Sequence, residues 1–456
     1  MMQTVAATSQ PNNTDMNATF AIPTALPAHL HASVTQAPMP ATLMDMSMRH
    51  LRALLAVARC GTAHKAALSL CVTQPAVTRA IQELEQELGL QLFERTTRSM
   101  SLTRAGELLY ERTVRALNHL DQAERELIDI NIVRRPRASL VAKVTHRHLR
   151  TLVAVAEHHT ETSAALHLEL SQPSVTRALR ELECIVETPL FQRTTRGMLA
   201  TSAGEVLIRR AKLMFAELAA ARDDLASHGN DIGGRIVIGS LPLASTLLVP
   251  RAVTLLKKEC PSLSVTILEG AYQSLLDGLR CGDIDVLVGV LRDPAPCNDI
   301  VQEALFEDQL SVVVRPGHPL TKLKYLTLAD VIDAEWVLPY QGAPSRQIFE
   351  RVLSRAGLAM PRQAIESNAL LTIRALLLES DRVSILSRNQ IHYEALHDML
   401  VELPIDMRGS ERQIGLTMRA DIKRSAGANA LIRSLRTTSI GMQRCSCRLQ
   451  NEDDRR

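Results

Sequence analysis

The chain has 456 residues, enough for about three domains at roughly 100–200 residues each. Hydrophobic residues make up 46% and charged ones 22%, a globular composition with ample material for packed cores. With 52 Lys and Arg against 49 Asp and Glu, the net charge of +3 lacks the strongly basic footprint of a nucleic-acid binder, although an average conceals local asymmetry. Aromatics at 3% exclude recognition of single strands by base stacking, which needs aromatic platforms.

Residues 1–46 are rich in Ala, Thr, Pro, Asn and Met without hydrophobic period. Such a leader buries too little to offset its ordering entropy and is expected to be disordered. It has no Lys or Arg before Arg49, so it lacks the basic start of a secretion signal.

Residues 49–107 and 147–205 then align without a gap at an offset of 98, with 33 of 59 positions identical. This is a tandem duplication. In the first copy Leu51, Leu54, Leu55 and Ala58 fall on one face of a helix, and Ala66, Ala67 and Leu70 mark a short second one. After a break, Thr73 is placed to cap a third helix with Pro75 in its first turn. That helix turns Val77, Ile81, Leu84 and Leu88 inward and leaves Gln74, Thr78, Arg79 and Gln82 outward. The second copy repeats the pattern with Ser171 as cap, Pro173 in the first turn, and Gln172, Thr176, Arg177 and Arg180 outward.

Two short helices joined by a tight turn, the second amphipathic and opening on Gln and hydroxyl residues, form a helix-turn-helix. Gln suits adenine and Ser or Thr suits a base or a phosphate. The plainer alternative is a helical hairpin with a solvated polar face. The following stretch weighs against it. Leu92, Phe93, Arg95 and Arg98 precede Leu102, Ala105 and Gly106, and Leu190, Phe191, Arg193 and Arg196 precede Ala203 and Gly204. Apolar anchors, paired arginines beside Thr hydroxyls and a returning strand read as a wing for phosphate or minor-groove contact.

On these residues the chain resembles the LysR-type transcriptional regulators. The first copy matches their winged helix-turn-helix almost letter for letter. The second departs where family glycines stand, with His159 in place of Gly61 and Glu187 in place of Gly89, which puts its wing geometry in question. Long helices follow both wings, carrying Leu108, Leu109, Leu117, Leu120, Leu127 and Ile130, then Val206, Leu207, Leu213, Leu218 and Leu225. The resemblance implies that such a helix pairs two chains, and the apolar seam favours pairing over packing on its own domain.

Between the copies, residues 131–150 hold Arg134, Arg135, Arg137, Lys143, Arg147 and Arg150 and no acid. This run is either a solvated face or a phosphate-tracking linker. From Gly234 the period changes to short apolar strands alternating with helices, which predicts a parallel α/β sheet in two lobes. Strands are expected at 235–239, 264–268, 285–289, 310–315, 336–339, 383–386 and 414–418. This order, with the stretches at 236–240, 279–289 and 312–320, resembles the LysR effector domain, a two-lobed fold like the periplasmic binding proteins.

Ligands in open α/β sheets sit at the carboxyl ends of strands, which points to Ser240, Ser245 and Thr246 and to the turn before the helix carrying Ser345 and Arg346. Ser367 and Asn368 lie on the facing connection. Amides at helix starts with nearby hydroxyls suit a carboxylate or phosphate, but Ser245 and Ser345 fit equally as ordinary caps.

The eight cysteines are scattered without metal spacing and read as small buried hydrophobes of a reducing cytosol; Cys445 and Cys447 alone form a tight pair. GxSxG, HExxH, GxGxxG and GxxxxGK[ST] are absent, and Asp283 with Asp285 fits a strand start, so catalysis is not expected.

The expected fold class is α+β and multi-domain: a leader (1–46), two helix-rich winged helix-turn-helix domains with long linker helices (47–130 and 146–230) around a basic linker (131–145), a two-lobed α/β effector domain (234–440) and a polar tail (441–456). The expected function is a cytoplasmic transcriptional regulator switched by a small effector, a carboxylate or a sugar. Its expected partners are double-stranded DNA, copies of itself and RNA polymerase, with no cofactor and no membrane. Two readings of the duplication stay open: an intrachain pair of reading heads, or one head with a degenerate spacer. A two-lobed binding protein with a helical interaction scaffold is the remaining alternative of a different class.

Overall fold

The computed structural model describes residues 46–96, 99–129, 139–195, 197–227, 232–362, 364–420 and 422–453, with side chains through Gln443. The leader through residue 45, Arg98, Arg196, the linker residues Arg134, Arg135 and Arg137, and the side chains of Cys445 and Cys447 lie outside the described residues.

The first head comprises α1 (Met48–Cys60), α2 (Ala63–Ser69), α3 (Gln74–Leu88), a hairpin of β1 (Phe93–Arg95) and β2 (Met100–Leu102), and the long helix α4 (Arg104–Asp129). Leu51, Leu54, Leu55, Ala66, Val77, Ile81 and Leu84 close on one another as their spacing predicts, while Val57 is buried and the expected Ala58 only half-buried. Met46, placed by the sequence reading at the end of the leader, is buried in this core.

A short helix α5 (Leu140–Lys143) leads into the second head: α6 (His146–His158), α7 (Glu161–His167), α8 (Gln172–Val186), β3 (Phe191–Thr194), β4 (Gly197–Ala200) and α9 (Ser202–Ala226). Leu140 and Val144 are buried, and the Arg52 guanidinium donates to the carbonyls of Val141 and Val144. This end of the predicted basic linker is therefore packed against the first head.

The two missing glycines do not deform the second head. His159 and Glu187 adopt φ of 59° and 58°, where Gly61 and Gly89 adopt 74° and 65°. The Met198 amide donates to the His159 carbonyl at 2.7 Å as the Met100 amide donates to Gly61 at 2.8 Å. Each wing thus hangs from the same carbonyl, and the side chains tolerate a left-handed backbone that costs roughly 1–2 kcal/mol per residue.

Helices α4 and α9 lie against each other. Arg112, early in α4, reaches Glu217 at 2.9 Å and Asp224 at 2.8 Å, both late in α9. Glu126, late in α4, meets Arg209 at 2.8 Å and Arg210, both early in α9. The reversed order makes the pair antiparallel. Leu109, Ala116, Leu120, Leu127, Leu207, Ala211, Met214 and Leu218 are buried along it in one core shared by both heads. The seam that the family resemblance assigns to pairing between chains is filled here within one chain.

The rest of the chain forms β5 (Arg235–Ser240), α10 (Pro242–Thr246), α11 (Leu248–Glu259), β6 (Ser264–Glu269), α12 (Tyr272–Cys281), β7 (Val286–Val290), β8 (Ile300–Asp308), β9 (Leu310–Val314), α13 (Leu328–Val331), β10 (Trp336–Leu338), α14 (Pro344–Arg355), β11 (Ala364–Glu366), α15 (Leu370–Leu378), β12 (Val383–Ser387), α16 (His392–Leu396), β13 (Val401–Glu402), β14 (Arg412–Arg419) and α17 (Ala426–Asp453).

Two five-stranded sheets result, in orders β6-β5-β7-β14-β8 and β11-β10-β12-β9-β13. The lobes are present, but their sheets are mixed, which corrects the parallel expectation. Strand β14 runs antiparallel to β7 and β8, and β9 antiparallel to β12 and β13. The chain passes between lobes from β8 to β9 and back from β13 to β14, and the first strand after each pass runs against its neighbours in the sheet it enters. Helix α17 also runs through the predicted polar tail; Leu431, Leu435 and Met442 are buried against the first lobe.

That lobe is seated on the paired heads. Lys212 of α9 meets Glu157 of α6 at 2.7 Å and Asp283, just before β7, at 3.0 Å. Asp285 accepts from the Val237 amide at 2.8 Å and serves the strand start, whereas Asp283 serves the contact with α9. His119 of α4 is largely buried, and burial together with the Arg210 charge lowers its pKa to about 4. The unfolded chain therefore takes up a proton that the folded one refuses as pH falls below about 6.5. Stability is expected to drop by up to about 3 kcal/mol between pH 6.5 and 4 through this group, and His119→Gln is expected to remove that part of the drop in urea unfolding at pH 7, 5.5 and 4.5. An unchanged profile would mean that His119 is not held neutral at the helix pair.

Candidate nucleic-acid interface and effector cleft

Thr73 and Ser171 stand at the cap positions of α3 and α8 with extended backbone, yet neither hydroxyl caps its helix. The capping role expected of them is not taken up; the Ser171 hydroxyl instead lies 2.8 Å from that of Ser174. First-turn amides and hydroxyls are left on the outer face, where a helix start favours a phosphate. Gln74, Arg79, Gln172, Arg177 and Arg180 are exposed, and Thr78 and Thr176 half-buried. Arg95 and Arg193 lie on β1 and β3; Arg95 reaches Glu85 in the last turn of α3, and Arg193 reaches Glu161, which opens α7.

The two faces differ in how their donors are used. Among the described residues, Gln74 and Thr78 make no side-chain hydrogen bond. Arg79 pairs with Glu83 at 2.7 Å and Arg95 with Glu85 at 3.2 Å. In the second head one carboxylate gathers the reading set: Glu161 accepts from Gln172 at 3.3 Å, Thr176 at 3.1 Å and Arg193 at 3.3 Å. Sequence reasoning missed Glu161, although the repeat alignment holds the signal: Ala63 stands at that position in the first copy.

In the effector domain Ser240 ends β5 fully buried, its hydroxyl 2.8 Å from that of Ser245. Thr246 donates to Leu243 at 3.1 Å and, across to the second lobe, to the Asn389 carbonyl at 3.2 Å. Arg251 and His392 also meet between lobes at 3.0 Å, a contact that no sequence pattern announced. In the second lobe Leu338 and Glu366 are register partners at the ends of parallel β10 and β11, so the segments that follow start side by side. There the Tyr340 amide donates to the Asn368 side chain at 3.2 Å and the Ala369 amide to Ser367 at 3.2 Å. Ser345 and Arg346 lie in the first turn of α14, whose start has no side-chain cap.

The structure thus brings Ser240, Ser245 and Thr246 together on one lobe and Ser345, Arg346, Ser367 and Asn368 together on the other. Neither Ser245 nor Ser345 stands at a cap position. The Arg346 guanidinium is engaged by Glu350 at 3.1 Å and the Pro339 carbonyl, which leaves the Ser345 hydroxyl and the first-turn amides of α14 as the open polar groups.

Residues 48–107 and 146–205 each match the family described as bacterial regulatory helix-turn-helix protein, lysR family, and residues 229–439 match the LysR substrate binding domain. The HTH-type transcriptional regulator GalR of Pseudomonas putida is 34% identical over 390 residues, spanning 86% of this chain and 96% of its own length. The chain belongs to the LysR family of transcriptional regulators. It is a DNA-binding regulator with a C-terminal effector-binding domain. The HTH-type regulator PcaQ of Agrobacterium fabrum is 30% identical over 294 residues, 64% of this chain and 94% of its own. A solved structure, full-length OxyR from Pseudomonas aeruginosa carrying one substitution, shares the fold with a TM-score of 0.50 at 23% identity, covering 64% of this chain and 97% of that one. Among the described residues no helix of this LysR regulator is long and apolar enough to cross a membrane.

Because Gln74 is exposed and unengaged, Gln74→Ala is expected to cost about 1–3 kcal/mol of base discrimination at one position of the operator. Arg95→Ala is expected to weaken binding to every sequence alike and to lower the salt slope by about one. Competition binding on operator and scrambled duplexes at several salt concentrations separates the two.

Proposed function

We propose that a single chain of this regulator carries a complete pair of DNA-reading heads. A small effector held between the lobes changes how that pair meets its operator. The observation that carries the reading is the antiparallel pairing of α4 with α9 inside one chain, joined by Arg112 with Glu217 and Asp224 and by Glu126 with Arg209. A pair of helix-turn-helix units suits two half-sites about one helical turn apart. Against a degenerate spacer speak the preserved turns at His159 and Glu187 and the exposed reading helix of the second copy.

The proposed base and phosphate contacts are Thr73, Gln74, Thr78, Arg79 and Arg95 in one head, and Ser171, Gln172, Thr176, Arg177 and Arg193 in the other. The proposed effector is a carboxylate or a sugar. Uncapped amides at the start of α14 and the hydroxyls of Ser345 and Ser367 favour such a ligand. Lys212 and Arg112 fasten the first lobe to the heads, so the second lobe is the body that moves. Its contacts through Thr246 and Arg251 are those a ligand would rearrange by favouring one lobe arrangement. Further assembly of chains then uses surfaces other than the α4–α9 seam.

Titrating the full-length regulator into a duplex with two half-sites one turn apart tests the pairing. One chain per duplex, with both half-sites protected, is expected. Two chains per duplex would mean that each chain supplies a single working head.

A further inference from the structure

The two heads share a fold but engage their reading side chains differently, and Glu161 is one cause. It opens α7, and its side chain is only 10% exposed, enclosed by donors from α8 and the wing. The Gln172 amide nitrogen points to Glu161 at 3.3 Å and to the Thr176 hydroxyl at 3.3 Å. The amide nitrogen is therefore drawn inward, and its carbonyl oxygen is the atom left for a base. Gln74 has no such partner among the described residues and keeps both donor and acceptor free.

Reading adenine bidentately needs both, a donor for N7 and an acceptor for the exocyclic amine. At the position of Gln172 the second head offers an acceptor alone. An acceptor set in the major groove is satisfied by the amine of cytosine or adenine and opposed by the carbonyl oxygens of guanine and thymine. Glu161 also pairs with Arg193 at 3.3 Å and so offsets part of the charge that a wing arginine brings to the phosphates.

We propose that Glu161 is a specificity-determining residue: it makes the second head demand a half-site with an exocyclic amine at the position facing Gln172, unlike the half-site of the first head. The operator is then an unlike pair, and the regulator has a fixed direction on it. This inference rests on the paired-head reading above.

Selection of binding sites from a randomised duplex by the full-length protein tests it, with Glu161→Gln, which keeps the shape and removes the charge, and Ala63→Glu beside the parent. The parent is expected to enrich two unlike half-sites. In Glu161→Gln the preference for an amine in the second half-site should fall about tenfold, and the dependence of affinity on salt should steepen by about one phosphate contact as Arg193 is released. Ala63→Glu should impose the amine requirement on the first half-site. Two identical half-sites from the parent, or an unchanged second half-site and salt slope in Glu161→Gln, would overturn the proposal. A merely structural acid at the start of α7 would move neither readout. Enrichment of a single half-site would instead defeat the paired-head reading, and this inference with it.

Discussion

A buried guanidinium sets the frame of this molecule. Arg112 is 1% exposed and sits between Glu217 and Asp224. Burial opposes its charge, but the two carboxylates outweigh that cost and hold its pKa above the ordinary value. A buried ion pair adds little net stability compared with an apolar contact, yet leaving one partner alone costs several kcal/mol, about 3–5. Its contribution is therefore to register: of the ways two apolar helices can slide past each other, only one satisfies all three charges. The shared core, the facing of the heads and the position of the first lobe follow from that alignment.

The same residues connect reading to sensing. Arg112 also donates to the Lys423 carbonyl, and Asp224 accepts from the Ala426 amide at 3.0 Å, where α17 of the effector domain begins. Lys212 joins α9, α6 and the approach to β7. Burial opposes its charge too, and Asp283 with Glu157 outweighs it. The first lobe is bolted to the heads at these polar points and where Asp223 accepts from the Arg235 amide, while the second lobe meets the first through a few exposed or half-buried contacts. A change at the cleft thus has a rigid path to the helix pair.

Much of this was legible in the sequence because it is local. The helix faces around Leu51 and Val77, the wings and most strands of the effector domain follow from spacing, and the duplication from identity. What failed depends on distant partners. Near-heptad seams in α4 and α9 state that each helix has a partner but not which, and the acids of Arg112 lie more than a hundred residues away. Strand direction in the lobes depends on where the chain crosses between them, which no alternation of elements records. Thr73 and Ser171 have the residue type of caps and leave the helix uncapped. Glu161 could be found only by asking what differs between copies rather than what they share.

Cysteine pairs placed across the seam test the central claim most directly. In a version lacking the native cysteines, Glu126→Cys and Arg209→Cys in one chain should oxidise to a cross-linked species of single-chain mass. Co-expressed chains carrying one substitution each should remain uncrosslinked. A disulfide-linked two-chain species in either preparation would contradict the account, because it would show that α4 takes its partner from another chain.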